Sequence, residues 1–269
     1  VRKITEEQII AMLERDPILI RNISIPTEEM KFTALRKNGT VIRYLKNPTE
    51  EMKKIALISN IWAIEFIDDP SEEMCIYVVK EAWNTLKFIK NPSEDLIKLG
   101  IEQKGWAIQY IKNPSEELQL MAVEKDFDSI KYINNPTEKV KLAAVTFNYN
   151  ALRFIDNPST KVELTAVKQN EAALNFIENI NEEKKLLFLK ENALVMKYFK
   201  DSIPIEKVEK VFIDKFSDEN IDEKYIIDFL NCSSIEKNNN NISMDKVLFI
   251  YKYGSKKSKR IVVDQRLSY

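Results

Sequence analysis

Polar and apolar positions along this chain repeat with a single period. Prolines stand at 26, 48, 70, 92, 114, 136 and 158, each 22 residues after the one before. Apolar residues follow the proline at four, seven, eight and nine positions, as in Leu118, Met121, Ala122 and Val123, and again in Val140, Ala143, Ala144 and Val145. This is helical spacing, so each repeat opens with an amphipathic helix carrying one buried stripe. A polar break follows, often asparagine (Asn38, Asn60, Asn148, Asn170, Asn192). A second pattern then runs at 16, 18 and 19 beyond the proline, for example Ile64/Phe66/Ile67 and Ile108/Tyr110/Ile111. It leaves room for a helix of two turns. Neither helix is long enough to be stable alone. Stacking of neighbours must supply the core, which predicts an all-α fold, an α-solenoid of about nine 22-residue two-helix repeats.

The word at each joint, Asn91-Pro92-Ser93-Glu94 in one copy, reads as a helix start in either of two frames. Asn91 can cap, with Pro92 at the first helical position and Glu94 reaching back in a capping box, or Ser93 can cap. Extending the period puts Ile4 and Ile180 in the proline slot, so the repeats run from residue 4 to about 201, with the first and last atypical. Two regions follow: a repeat solenoid over 1–201 and a degenerate helical cap over 202–269. Within the cap, KVEKVFIDKF and IDEKYIIDFLN read as amphipathic helices and 233–243 (SSIEKNNNNIS) as a polar loop. MDKVLFIYKY (244–253) fits helix or strand, and 252–260 is a basic segment.

The string YIKNPSEELQLMAV (110–123) and its copies resemble the tandem NPSEE helical repeats of the DUF4116 type, found mainly in bacterial and phage proteins. The resemblance covers roughly three-quarters of the chain. It implies a helical scaffold similar to HEAT and leucine-rich-repeat-variant proteins, a phage-related setting and no established catalytic residues. A counter-defence role, gripping a host immunity protein, follows from the resemblance alone.

Composition narrows the chemistry. Four glycines in 269 residues, at 39, 100, 105 and 254, are too scattered for a phosphate-cradling loop. The absence of histidine removes His-based nucleophilic catalysis and the usual zinc sites, and Cys75 and Cys232 have no metal-ligand spacing. Carboxylates recur with the repeat, whereas an active site should break it at one place. The expectation is therefore no enzyme, no cofactor and no metal. Residues 1–16, VRKITEEQIIAMLERD, lack an apolar signal stretch, and no segment is apolar enough to span a bilayer, which points to the cytoplasm and away from a membrane partner.

Three columns of the repeat can carry binding. Acidic pairs after the Ser/Thr (Glu28/Glu29, Glu50/Glu51, Glu72/Glu73) suit a helix N-terminus without any partner. A second column, 17 beyond the proline, holds Arg21, Arg43, Lys87, Lys131, Arg153 and Lys197 in six of its nine places, with Lys46, Lys90 and Lys112 three residues after column members. It forms a basic ladder suited to an acidic surface. The third column is aromatic (Trp62, Trp83, Trp106, Phe127, Tyr149) and reads as a half-buried seam or as a stacking surface for bases. The expected function is binding of another protein along one solenoid face through the ladder with Trp62 and Trp106. Two alternatives remain. One is single-stranded nucleic-acid binding by the ladder with Lys252, Lys256, Lys257, Lys259 and Arg260; the other is sequestration of a small anionic ligand.

Overall fold

Each 22-residue word folds as a ten-residue α-helix followed by a 3-10 helix, six residues long in the first eight copies. The computed structural model describes residues 4–199, 202–236 and 243–267. The chain divides into two units, residues 1–133 and 134–269. The first contains α1 (Glu6–Arg15), α2 (Glu28–Lys37), α3 (Glu50–Ser59), α4 (Glu72–Glu81), α5 (Glu94–Gln103) and α6 (Glu116–Lys125). They alternate with the 3-10 helices η1 (Pro17–Asn22), η2 (Gly39–Tyr44), η3 (Ile61–Phe66), η4 (Trp83–Phe88), η5 (Gly105–Tyr110) and η6 (Phe127–Tyr132). Within this unit α packs on α and η on η from each repeat to the next, giving two layers with the core between them. The architecture is an α-solenoid.

The second unit continues the word with α7 (Glu138–Phe147), η7 (Tyr149–Phe154), α8 (Thr160–Gln169), η8 (Glu171–Phe176) and α9 (Glu182–Glu191). In the ninth copy the 3-10 piece η9 (Ala193–Val195) runs straight into α10 (Met196–Phe199), and the period ends. Four helices follow: α11 (Ile205–Phe216), α12 (Glu223–Asn231), α13 (Lys246–Tyr253) and α14 (Lys256–Leu267). The segment open between helix and strand is therefore helical, capped by Asp245, whose carboxylate accepts from Leu248 N at 3.0 Å. Of the expected polar loop 233–243, residues 237–242 lie outside the described residues, as do 200 and 201 beside the expected 201/202 boundary. Among the described residues no helix is long and apolar enough to cross a membrane.

The joint corrects one frame of the sequence reading. In the copies before the ninth the cap is Ser or Thr, not the Asn of the joint: Ser93 sits at φ −63° and ψ 157° and accepts from Leu96 N, while Glu94 is the first helical residue; in the ninth Asn181 takes the same slot. The asparagine two places earlier is left-handed, with φ of 48° at Asn47, 51° at Asn91 and 47° at Asn157, and Asp69 does the same at 49°. A cap needs extended backbone, so a left-handed residue cannot serve as one. Asn and Asp are chosen here because they tolerate that region. The capping box expected at Glu94 is absent for the same reason; α1 has one instead, between Thr5 and Gln8. We expect Ser93→Ala to cost about 1 kcal/mol. Asn91→Ala should cost about as much through the left-handed backbone, and Asn91→Gly should be neutral or better. Urea unfolding of the three variants checks the order.

The asparagines of the polar break have the capping role instead. Asn38, Asn60, Asn148, Asn170 and Asn192 cap the 3-10 helices, each accepting from the backbone N–H two residues on at 2.8–3.1 Å. The buried stripe is at four, eight and nine beyond the proline, while the position at seven is half-buried, as at Met121 and Ala143. A further buried column, 15 beyond the proline, holds only small or β-branched residues: Val41, Ala63, Thr85, Ala107, Ser129, Ala151 and Ala173. A small side chain here lets the two layers approach closely.

Candidate functional site: the ridge of 3-10 helices

A 3-10 helix has three residues per turn, so side chains at i and i+3 eclipse one another. The ladder is the fifth residue of each six-residue 3-10 helix, with the second residue directly over it; the last member, Lys197, lies in α10. Together the two positions mark one side of each short helix, and within a unit these sides form a ridge. Every ladder position is exposed: Arg21, Arg43, Glu65, Lys87, Gln109, Lys131, Arg153, Asn175 and Lys197. The aromatic column, by contrast, is two columns. Trp83, Phe127 and Tyr149 are first residues of their 3-10 helices, whereas Trp62 and Trp106 are second residues on the ladder side; of the five only Trp62 is exposed, and Trp106 is half-buried like the others.

The first unit shows what the ridge is made of. Trp62 meets Phe88 of the next repeat edge-on at 6.3 Å, and Trp106 meets Tyr132 in the same way at 5.9 Å. A cation caps each pair. Lys87 Nζ is 5.8 Å from the Trp62 ring and 4.6 Å from Phe88, and Lys131 Nζ is 3.9 Å from Trp106 and 4.9 Å from Tyr132. Between these, Trp83 and Tyr110 stack at 6.0 Å, and the ladder position there is Gln109, whose amide donates to Trp106 O at 2.9 Å. The two cation-capped tryptophans thus stand two repeats apart. Arg43 does the same to Phe66 at 4.5 Å.

Electrostatics divides the ladder. Lys131 pairs with Asp128 at 2.9 Å, and Asp128 also accepts from Trp106 Nε1 at 2.7 Å. Partial burial works to raise the Asp128 carboxyl, but the hydrogen bonds from Trp106 and Lys131 hold it below its ordinary range. Lys197 pairs with Glu171 at 2.6 Å, and that hydrogen bond raises its ammonium. Arg21, Arg43, Lys87 and Arg153 make no ion pair with any described residue. Of the flanking lysines, Lys46 and Lys112 are exposed and Lys90 stands 3.9 Å from an equally exposed Asp68, a contact of little energy.

The basic segment is mostly helical, divided between the end of α13 and the start of α14. Lys256, Lys257, Lys259 and Arg260 lie in the first half of α14, whose Ile261 and Val262 are buried. The Glu219 carboxylate accepts from the N–H groups of Lys256 and Lys257 at 3.1 and 3.2 Å, offsetting the positive helix start. Lys257 Nζ donates to Ile221 O at 2.7 Å, Arg260 faces Asp264 at 3.7 Å, and Lys252 lies over the Tyr253 ring at 4.8 Å. Lys257 is thus held within the unit, while the Arg260–Asp264 contact is exposed and weak.

The acidic column does what helix termini require. Glu28 and Glu50 pair with Lys31 and Lys53 at 2.7 Å, and Lys54 reaches Glu73 of the next repeat at 2.8 Å. Cys75 and Cys232 are buried and unpaired, and burial pushes both thiols up. Comparison of the chain with protein-family models, curated proteins and solved structures finds no match.

Proposed function

We propose that the protein is a non-enzymatic scaffold that binds another protein through the ridge of its short helices, with Arg43, Trp62, Lys87, Trp106 and Lys131 as the contact set in the first unit. One observation carries the reading: the ladder positions are exposed throughout, and two of their cations without an acidic partner, Arg43 and Lys87, sit above aromatic rings. Tryptophan and arginine are the residues that dominate interface energetics. An acidic surface approaching Arg43 and Lys87 gains ion pairs without breaking internal ones. In the phage-related setting that the repeat resemblance implies, the partner would be a host immunity protein met in the cytoplasm.

The test compares wild-type protein with the R43E/K87E variant on beads in host lysate, followed by reconstitution with the purified retained protein. The expected result is a Kd weakened about a hundredfold, on the scale of two lost charge contacts, with helical signal and melting unchanged. Equal retention by the variant would reject this face. Salt separates the nucleic-acid reading: capture of a single-stranded oligonucleotide should fall steeply between low and physiological salt if that reading holds.

A further inference from the structure

Two residues of the α layer break their columns at one joint. Ten places beyond the proline slot all eight other copies carry an exposed polar residue, Arg36, Lys80, Glu102 and Glu124 among them. The third copy has Ile58 there, 72% exposed. Seven places beyond the slot the second to ninth copies hold half-buried residues, except for Tyr77, which is aromatic and exposed. Repeat packing requires neither change. A large apolar side chain left in water, at a place the fold elsewhere fills with polar residues, points to a surface that something covers.

The two exceptions line one groove. Ile58 belongs to α3 and Tyr77 to α4, and these helices meet less closely than any other successive α-helices of the first unit. Between them lies a groove of about 200 Å³, walled by Leu57, Ile58, Met74 and Tyr77, with Lys54 on one lip and Glu73 on the other. Leu57 and Met74 are buried, so the floor is apolar. An apolar cavity of about 150 Å³ takes up a benzene ring, so this groove has room for one large apolar side chain.

The register of the lips says what fits. Lys54 meets Glu73 across the groove at 2.8 Å, and one turn further along each helix Ile58 stands level with Tyr77. Each lip therefore carries a charge followed by an apolar residue, and the two charges are of opposite sign. Such a surface is complementary to itself. A two-fold axis along the groove turns the α3 lip of one copy towards the α4 lip of the other. Ile58 of each copy then enters the other's groove beside Tyr77, with Lys54 of each facing the other's Glu73. The internal pair is 50% and 77% exposed, so it is weak and exchanges for the intermolecular one at little cost. We propose that the α3–α4 groove is a self-association surface whose occupant is Ile58 of a second copy of this chain. The inference is independent of the ridge reading, since the groove lies in the α layer and R43E/K87E leaves it intact.

Sedimentation velocity of the full chain, up to submillimolar concentration, tests the proposal. One apolar anchor per copy makes a small interface, so a reversible, concentration-dependent shift from monomer to dimer is expected. I58E should abolish the shift over the whole range. Glutamate already stands at this place in the fifth and sixth copies, as Glu102 and Glu124, so the variant keeps the fold. K54E and E73K should each weaken the dimer about tenfold, because like charges then face each other. An equimolar mixture of K54E and E73K should dimerise as wild type does, since each contact again joins opposite charges. Mixing cannot restore the internal Lys54–Glu73 pair, so rescue identifies a contact between molecules. Wild-type protein that stays monomeric at every concentration would overturn the proposal and leave the groove to another protein's side chain. A dimer that persists in I58E, or a mixture that associates no better than either variant alone, would overturn it as well.

Discussion

Gly39→Ala is expected to cost about 3 kcal/mol, at the upper end of overpacking penalties. A Cβ on Gly39 would fall 1.9 Å from Ala56 O and 2.7 Å from Ala56 C, both backbone atoms of the next repeat's α3. Backbone cannot rotate away as a side chain can, so η2 and α3 must separate. The Gly39 N–H, which donates to Ser59 Oγ at 3.2 Å, would be strained with them. Gly105→Ala should behave alike: its Cβ would meet Ala122 O at 2.3 Å, and its N–H donates to Asp126 Oδ2 at 2.7 Å. Neither glycine has a positive φ, so close approach alone requires them. Gly100→Ala is the control. Its Cβ would meet the Leu86 side chain at 3.3 Å, a flexible neighbour, and the equivalent places in α2, α3 and α6 already hold Ala34, Ala56 and Ala122. Alanine there should stabilise by up to about 1 kcal/mol through helix propensity. Urea unfolding with hydrogen exchange across η2–α3 and η5–α6 reads all three; a Gly39→Ala midpoint equal to wild type would refute the argument.

These glycines mark where sequence reasoning stops. The period, the two helices per repeat and the buried stripe were legible because packing imposes them on every copy. The ladder's exposure was legible for the same reason. What a single copy does differently was not. Gly39 and Gly105 occupy a place that holds Ile61, Trp83, Phe127 and Tyr149 elsewhere, so spacing gives no hint that backbone carbonyls approach there. The cap frame was ambiguous because Asn and Ser both cap well, and only the left-handed backbone at Asn91 separates them. The aromatic column looked single because its members differ by one place, and one place on a 3-10 helix turns a side chain from seam to ridge. Glu163 was not singled out, although other copies hold Lys53 or Lys141 at its place, because its burial and its pairing with Lys184 depend on the neighbouring repeat. Beyond Pro204 no repeat constrained the reading, and α14 was missed because its basic residues hide the apolar pair Ile261/Val262.

Phe216→Ala should have the largest effect of any single change, about 4 kcal/mol. The side chain is fully buried where the helices after the repeats converge. It stacks on Phe212 at 5.8 Å and meets Phe229 of α12 at 4.7 Å, Tyr225 at 6.1 Å and Phe249 of α13 at 6.2 Å, all three edge-on. Its carbonyl accepts from Ser255 N at 2.7 Å and from Ser258 Oγ at 2.8 Å, which ties in the start of α14. Alanine would leave a void that four helices cannot close together, and each aromatic pair lost adds to the cost. Phe216→Leu keeps most of the volume and should cost less than half as much. In a repeat stack each element leans chiefly on its neighbours, so the loss should be local at first. Hydrogen exchange in Phe216→Ala should accelerate across α12, α13 and α14 while α7 and α8 keep their protection. Uniform acceleration through α7 and α8 as well would show instead that the second unit opens as one body, and that its terminal helices hold the repeats before them in place.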